Sequence, residues 1–180
     1  LLGIFSASTS TANTASSNTV VNLAQTGTST GNQLVGILLQ GSSGGAFSTT
    51  GNTVRNLTST STSTSTGSSA SVIGISHTAS TTAGQTISNN TIHSLSNTTA
   101  SAAVLVTGLY YSGPTTGTNL ISRNFIHSLS NSSTSGTAAL FGIVAAAGVS
   151  TYQNNMVRLG VDAAGASLTN GTVMVGIDKT

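Results

Sequence analysis

Short apolar runs recur along the chain, and Gly, Asn, Ser and Thr separate them. The runs at 72–76, 86–88 and 91–95 show the pattern, in which a few aliphatic residues are bounded by turn formers. Each run predicts a short β-strand. Ser, Thr, Gly, Asn and Val dominate the composition, so helices are not favoured. The pattern therefore predicts an all-β chain whose strands are too short to bury a face alone.

A Gly flanked by aliphatic residues is the first repeated motif. Thr107 and Phe141 replace the leading aliphatic residue in two of the six copies. The spacings between the glycines are 33, 38, 34, 34 and 34 by subtraction. The six glycines are Gly3, Gly36, Gly74, Gly108, Gly142 and Gly176. A fixed period of this length is typical of repeat architectures.

A second motif, Asn-x-aliphatic, follows each of the first five glycines by 13 to 16 residues. A Leu closes the motif four or five residues later. The motif asparagines are Asn18, Asn52, Asn90, Asn124 and Asn155. Asn tolerates a left-handed backbone and bonds neighbouring backbone groups, so this column predicts a bend between strands. Stacked Asn side chains can also bond from coil to coil as a ladder.

The two motifs together predict a parallel β-helix solenoid of about five coils of roughly 34 residues. Each short strand would pair with its copy above and below at about 4.8 Å, so every column becomes a parallel sheet. The coils are placed at about 1–33, 34–71, 72–105, 106–139 and 140–173, with a partial coil at 174–180.

The repeat also predicts which positions of each coil face the core and which lie at crowded or exposed places. The residues that follow the glycines, and those two positions after the motif asparagines, should form inward aliphatic stacks. The Gly column suits a crowded or unusual backbone position. The second coil has four extra residues within 58–69, a Ser/Thr alternation that we expect to form an exposed loop.

The amino-acid composition argues against several classes of function. Only 3% of the residues are charged, with four Lys or Arg and two Asp or Glu. Two carboxylates argue against a catalytic carboxylate pair or a dedicated Ca²⁺ site. The absence of Cys excludes a disulfide framework and a zinc finger. Four scattered cations make no nucleic-acid patch. We expect no cofactor and no enzymatic activity.

Neither a membrane span nor a signal peptide is predicted. The longest nearly apolar run, 138–149, has about 12 residues, whereas a spanning helix needs about 20. The first residues lack a basic region and a cleavage site. They also lack an initiator Met, so we expect the chain to begin within a larger protein.

The sequence resembles right-handed parallel β-helix repeats of the pectin-lyase-like superfamily. The resemblance rests on Gly74-Ile75, about ten residues, and Ile87-Ser-Asn-Asn-Thr-Ile92. More narrowly, the segments at 90–99 and 108–114 resemble Ser/Thr-rich repeats of large surface proteins of Bacteroidota that use type IX secretion. The carboxylate and Arg clusters of pectate lyases have no matching positions. The resemblance implies the right-handed winding and an extracellular structural or adhesive segment.

Four ionisable residues occupy one repeat position, three residues after the motif Asn, where the first coil has Val21. They are Arg55, His93, His127 and Arg158. In a β-helix they would stack as a cationic ladder on an outer face. This ladder predicts a binding strip for an acidic polysaccharide or another anionic partner. Alternatively the position only faces solvent, where neutral His relieves like-charge repulsion.

Other candidate sites are isolated. Tyr110 and Tyr111 are adjacent in a strand and face opposite ways, so an exposed ring could stack on a sugar or both could pack in the structure. His77 has no metal partner in the pattern, and we expect a satisfied or exposed side chain. Asp162 and Asp178 are expected on the surface.

The sequence therefore predicts a structural segment of a secreted or cell-surface fibre or adhesin. Its expected partners are further coils of the same chain or identical subunits stacked end to end, without nucleic-acid binding or membrane insertion. One alternative is a glycan-binding module that uses an outer face. A polysaccharide-degrading enzyme is a third hypothesis, opposed by the scarcity of carboxylates.

Overall fold

The structure, a computed structural model, describes residues 1–9, 12–41, 45–79 and 84–180. This part of the chain contains 16 strands, numbered in chain order, and a short 3-10 turn at Gly67–Ser69. All pairings between these strands are parallel. The described residues thus confirm the predicted all-β parallel solenoid of about five coils of roughly 34 residues.

Three sheets form the sides of the solenoid, and each coil contributes one strand to each sheet in turn. Sheet A contains β1 (Leu2–Ser8), β4 (Leu34–Gly41), β7 (Val72–Ala79), β10 (Leu105–Ser112), β13 (Ala139–Ala147) and β16 (Val173–Lys179). Sheet B contains β2 (Ala12–Ser16), β5 (Ala46–Thr50), β8 (Thr86–Ser88), β11 (Leu120–Ser122) and β14 (Thr151–Gln153). Sheet C contains β3 (Thr19–Gln25), β6 (Thr53–Ser59), β9 (Thr91–Asn97), β12 (Phe125–Asn131) and β15 (Met156–Arg158).

The core is built from columns of like residues, as the repeat predicts. Ile37 pairs with Ile75 in sheet A, and Val54 pairs with Ile92 in sheet C. All four side chains are fully buried in one cluster that runs through the coils. Because each coil is narrow, burial of apolar area depends on the coil above and the coil below.

The Gly column of sheet A is crowded, as predicted. A Cβ on Gly74 would lie 2.6 Å from the carbonyl oxygen of Gly108 and would clash with the Ile92 side chain. The next residue, Ile75, also belongs to the core cluster, so the strict in-and-out alternation of the strand is broken at Gly74. Gly is needed here because sheets A and C approach closely.

The Asn column forms the predicted ladder. The side-chain amide of Asn52 donates to the Oδ1 atom of Asn90 at 2.9 Å, and that of Asn90 donates to Asn124 at 2.9 Å. The backbone N–H of Asn90 also donates to the Asn124 Oδ1 atom at 3.2 Å, and its side chain donates to the Thr49 carbonyl at 2.8 Å. The side chains of Asn52, Asn90 and Asn124 thus each bond an Asn of the next coil and a backbone carbonyl of sheet B.

The left-handed backbone is not on the Asn column, which corrects that part of the prediction. It lies one residue earlier, as at Asn89 with φ 56°, and four residues later, as at Ser94 with φ 56°. The earlier position turns the chain from sheet B into sheet C. The later position lies within the sheet C strand and is skipped in the pairing register. The hydrogen bonds of the Asn side chain, and not a left-handed φ angle, explain why Asn recurs at this position of each coil.

The Ser/Thr segment of the second coil is exposed, as expected, at 64–66, 68 and 69, but its first part, 59–63, lies against the solenoid. Ser59, Ser61 and Ser63 are buried, and the hydroxyl of Ser59 accepts the Ser61 backbone N–H at 3.0 Å. The outward Thr62 donates to the Thr28 carbonyl of the preceding coil at 2.6 Å. The buried Ser side chains therefore bond the backbone of the segment itself, and the outward Thr side chain bonds the preceding coil.

We predict that Gly74→Ala lowers the free energy of unfolding by about 2 kcal/mol or more, because the new methyl group meets fixed backbone. Gly176 is the matched control, since it occupies the same column but a Cβ there meets no atom within 4 Å. Urea denaturation of both variants tests this, and equal losses would refute the crowding argument.

Candidate functional site

The cationic ladder lies on the outer face of sheet C, in register. Arg55 pairs with His93, His93 with His127, and His127 with Arg158. The side chains of the first three are partly exposed and that of Arg158 is exposed. Parallel pairing therefore brings four ionisable residues into one file, although the first and the last, Arg55 and Arg158, are more than 100 positions apart in the sequence.

The two histidines form the centre of the ladder. Their ring centroids are 4.8 Å apart and the rings are nearly parallel, at 3°. Each Nδ1 atom lies 2.9 Å from the hydroxyl of the next residue, Ser94 or Ser128. Ser94 and Ser128 are the left-handed positions of their strands. The bend in each strand thus fixes the orientation of the imidazole ring.

Burial and neighbouring charge both keep these rings neutral. Partial burial lowers the pKa of His93, and Arg55 lowers it further. The pKa of His127 is lowered by burial, then by His93 and Arg158. This result agrees with the interpretation that neutral His relieves repulsion within the ladder. At neutral pH the face carries the two Arg charges.

An aromatic ring flanks the ladder. The ring of Phe125 lies 4.4 Å from that of His127, centroid to centroid, at 33°. Phe125 occupies the x position of the Asn-x-aliphatic motif, where the neighbouring coil has Thr91. Sequence reasoning missed this contact, although the change from Thr to Phe at one repeat position was a visible signal.

Neither tyrosine has an exposed ring, which argues against the predicted stacking on a sugar. Tyr111 is fully buried in the main core, and its ring lies 5.9 Å from that of His77. Tyr110 is 8% exposed and packs on the outer face of sheet A, where Gly67 at the end of the second coil comes close to it. The two rings face opposite ways as expected, but the coil connections cover the outer one.

His77 is a buried, hydrogen-bonded histidine, the satisfied side chain that the sequence favoured. Its Nε2 atom lies 3.0 Å from the Gln85 Oε1 atom, and its Nδ1 atom lies 2.8 Å from the Thr49 hydroxyl. The amide oxygen of Gln85 can only accept, so Nε2 carries the proton and Thr49 donates to Nδ1. Burial lowers the pKa of His77 to about 4.

Three further hydroxyl groups converge beside a small cleft. The hydroxyls of Tyr111, Ser150 and Tyr152 are buried. Burial raises the pKa of both tyrosines, and Ser150 partly offsets this by lowering it. A cavity of about 150 Å³ next to them is lined by residues of the turns at 117–119 and 149–151. The His77 imidazole, whose ring lies 5.9 Å from that of Tyr111, has its two nitrogens bonded to Thr49 and Gln85 rather than to these hydroxyls.

The described residues contain no group of three or more His, Asp or Glu side chains placed to hold a metal ion. No helix among them is long and apolar enough to cross a membrane. Asp162, on a partly exposed turn, accepts the backbone N–H groups of Ala164 and Ala166, each at 2.9 Å. Asp178 pairs with Val144 in sheet A and is also partly exposed.

Comparison with known proteins gives no match to a family model, to a curated protein or to a solved structure.

We predict that acid destabilises the protein chiefly through His77. Its folded pKa of about 4 lies below the usual 6.5, so the unfolded chain binds the proton first. The contribution is complete above pH 6.5, falls as the pH drops, and is lost below pH 4. The shift corresponds to about 3 kcal/mol.

Urea denaturation between pH 7.5 and pH 4 measures this effect. His77→Gln should remove most of the pH dependence, although it lowers stability at every pH. The control His93→Gln changes a partly exposed ring and should leave most of the dependence intact. A free energy of unfolding that stays constant over this range in the wild type would contradict the prediction.

Proposed function

We propose that the chain is a structural segment of a secreted or cell-surface fibre or adhesin. It acts as a rigid spacer, and further coils of the same register cover its two ends. The observation that carries this proposal is the continuity of the hydrogen-bonded and apolar columns through the solenoid, with open positions for another coil at each end.

The side-chain hydrogen bonds of the Asn ladder all run in one direction along the solenoid, which allows further coils to extend the ladder. Each ladder Asn donates toward the next coil, and the last such bond runs from Asn124 to the Asn155 Oδ1 atom at 3.0 Å. At the other end, Asn18 donates to the Asn52 Oδ1 atom at 3.0 Å. One end of the ladder therefore offers donors and the other end offers an acceptor. A further coil with an Asn at this position would extend the ladder at either end.

Apolar residues are exposed at both ends of sheet A. Phe5 is 55% exposed at one end, and Met174 and Ile177 are 39% and 48% exposed at the other. Ile177 continues the inward column that is fully buried at Ile143, with which it pairs. Burial of such side chains stabilises by about 1.5–3 kcal/mol each. Their edge strands also carry unpaired backbone groups, which favour addition of another strand.

The extracellular setting and the resemblance to pectin-lyase-like repeats of Bacteroidota surface proteins, with their right-handed winding, belong to the same proposal. What supports them is the repeat sequence itself, the very low charge and the high Ser and Thr content. A spacer needs a regular and stiff column, and it needs no reactive group.

We predict that extending the chain in register gives a longer and more stable rod. Gly176 stands where Gly36 stands, so a copy of residues 41–180 joined after Thr180 continues the coils. The tandem should unfold in one transition at higher urea concentration, because each added interface stabilises its neighbours. Its length in small-angle scattering should grow by about 19 Å for four coils.

The control joins the same two copies through a flexible Gly/Ser linker of 20 residues, which allows independent units. Ile177→Lys should destabilise the in-register tandem, where the side chain becomes buried, and should change the single chain little. An in-register tandem with the stability and flexibility of the linked control would overturn the proposal.

A further inference from the structure

The ladder face of sheet C combines features that a structural spacer does not need. Two arginines and two histidines form one file, a Phe ring lies beside it, and hydroxyl groups border it. We propose that this face is a binding strip for an acidic polysaccharide. Arg55 and Arg158 bind the acidic groups of the sugars, and His93 and His127 add two charges when they take up protons.

The charge distribution supports a strip rather than a scattered surface. Arg55 and Arg158 lie on strands of sheet C in the same file as the two histidines, whereas Arg123 lies between β11 and β12, outside that file. Asp162 and Asp178 are the two carboxylates of the chain, and neither is within ion-pair distance of the ladder among the described residues. The cations are therefore free to meet an external anion.

The spacing suits a linear polyanion. Successive ladder positions are one strand apart, about 4.8 Å, so four positions span about 14 Å along the solenoid axis. A chain of sugars lying parallel to the axis would place an acidic group near each position. Arg binds carboxylate and sulfate groups through two parallel N–H donors, which makes it effective at both ends of the strip.

The flanking residues favour a sugar polymer over other polyanions. Phe125 offers an apolar ring next to His127, and Thr53 and Thr91 continue its column with hydroxyl groups. An aromatic face packs against the apolar face of a sugar ring, while hydroxyl groups bond its alcohols. A nucleic acid would need more cations than this single file provides.

The histidines make binding depend on proton uptake. The groups that face them are Arg55 on β6 and Arg158 on β15, since the β3 position is the neutral Val21. Burial lowers the pKa of both rings; Arg55 lowers that of His93 further, and His93 and then Arg158 lower that of His127 further. A bound polyanion reverses that influence, because an opposite charge favours the imidazolium form. Binding and protonation therefore assist each other.

The test uses dextran sulfate, whose charge does not change between pH 5 and pH 7.5, with neutral dextran as the polymer control. Titration calorimetry at low salt should show binding of dextran sulfate that strengthens by about tenfold from pH 7.5 to pH 5. His93→Gln with His127→Gln should remove this pH dependence and leave residual binding. Arg55→Gln with Arg158→Gln should weaken binding by about tenfold at both pH values.

Two further variants separate the ladder from general charge and from nucleic-acid binding. Arg123→Gln removes an exposed cation outside the file and should leave affinity within about twofold. Phe125→Thr, which copies the neighbouring coil, should weaken binding of dextran sulfate but not of polyglutamate. Absence of dextran sulfate binding at pH 5, an equal effect of Arg123→Gln, or tighter binding of a single-stranded oligonucleotide would overturn the proposal. The tandem-stability experiment does not depend on any of these results.

Discussion

Stacking of equivalent residues one strand spacing apart is the constraint on which the whole molecule depends. In the parallel register, the nearest neighbour of a residue is the residue one repeat away, as for Ile92 and Ile126 or His93 and His127. A side chain that packs well against a copy or a close relative of itself is therefore favoured at most core positions. Aliphatic residues and asparagine meet this condition at low cost, whereas like charges repel. The constraint explains both the strict repeat and the very low charge of the chain.

The same constraint shapes the polar interior. Asn90 is almost fully buried but uses its side-chain amide as donor and acceptor toward neighbouring coils. Ser59 is buried and bonds the backbone two residues ahead. Buried polar groups are stable only when they are hydrogen-bonded, and repetition supplies the partners. The ladder of sheet C is the exception, since it stacks ionisable groups. Burial first, and then the neighbouring ladder residues, lower the pKa of its two histidines.

Much of this architecture is predictable because one period controls it. The spacing of Gly74 and Gly108 sets the coil, and the position of Ile75 and Asn90 within the period assigns each column. What departs from the period was harder to predict. The fold of the Ser/Thr segment depends on carbonyl groups of the preceding coil, and the burial of Tyr110 depends on a loop from another coil. The network around His77 joins sheets A and B through Gln85, and no spacing in the sequence indicates that contact.

The central claim is that axial columns hold the coils together, and the Asn column tests it most directly. Asn90→Ala removes the side-chain bonds to Thr49 and Asn124 and the acceptor of the Asn52 backbone and side-chain N–H groups. The free energy of unfolding should fall by about 3 kcal/mol or more in urea denaturation, since buried partners are left unsatisfied. Asn18→Ala, at the end of the same column, should cost about 1 kcal/mol or less, because the Asn52 Oδ1 atom still accepts the Asn18 backbone N–H. Similar small losses in both variants would contradict the account.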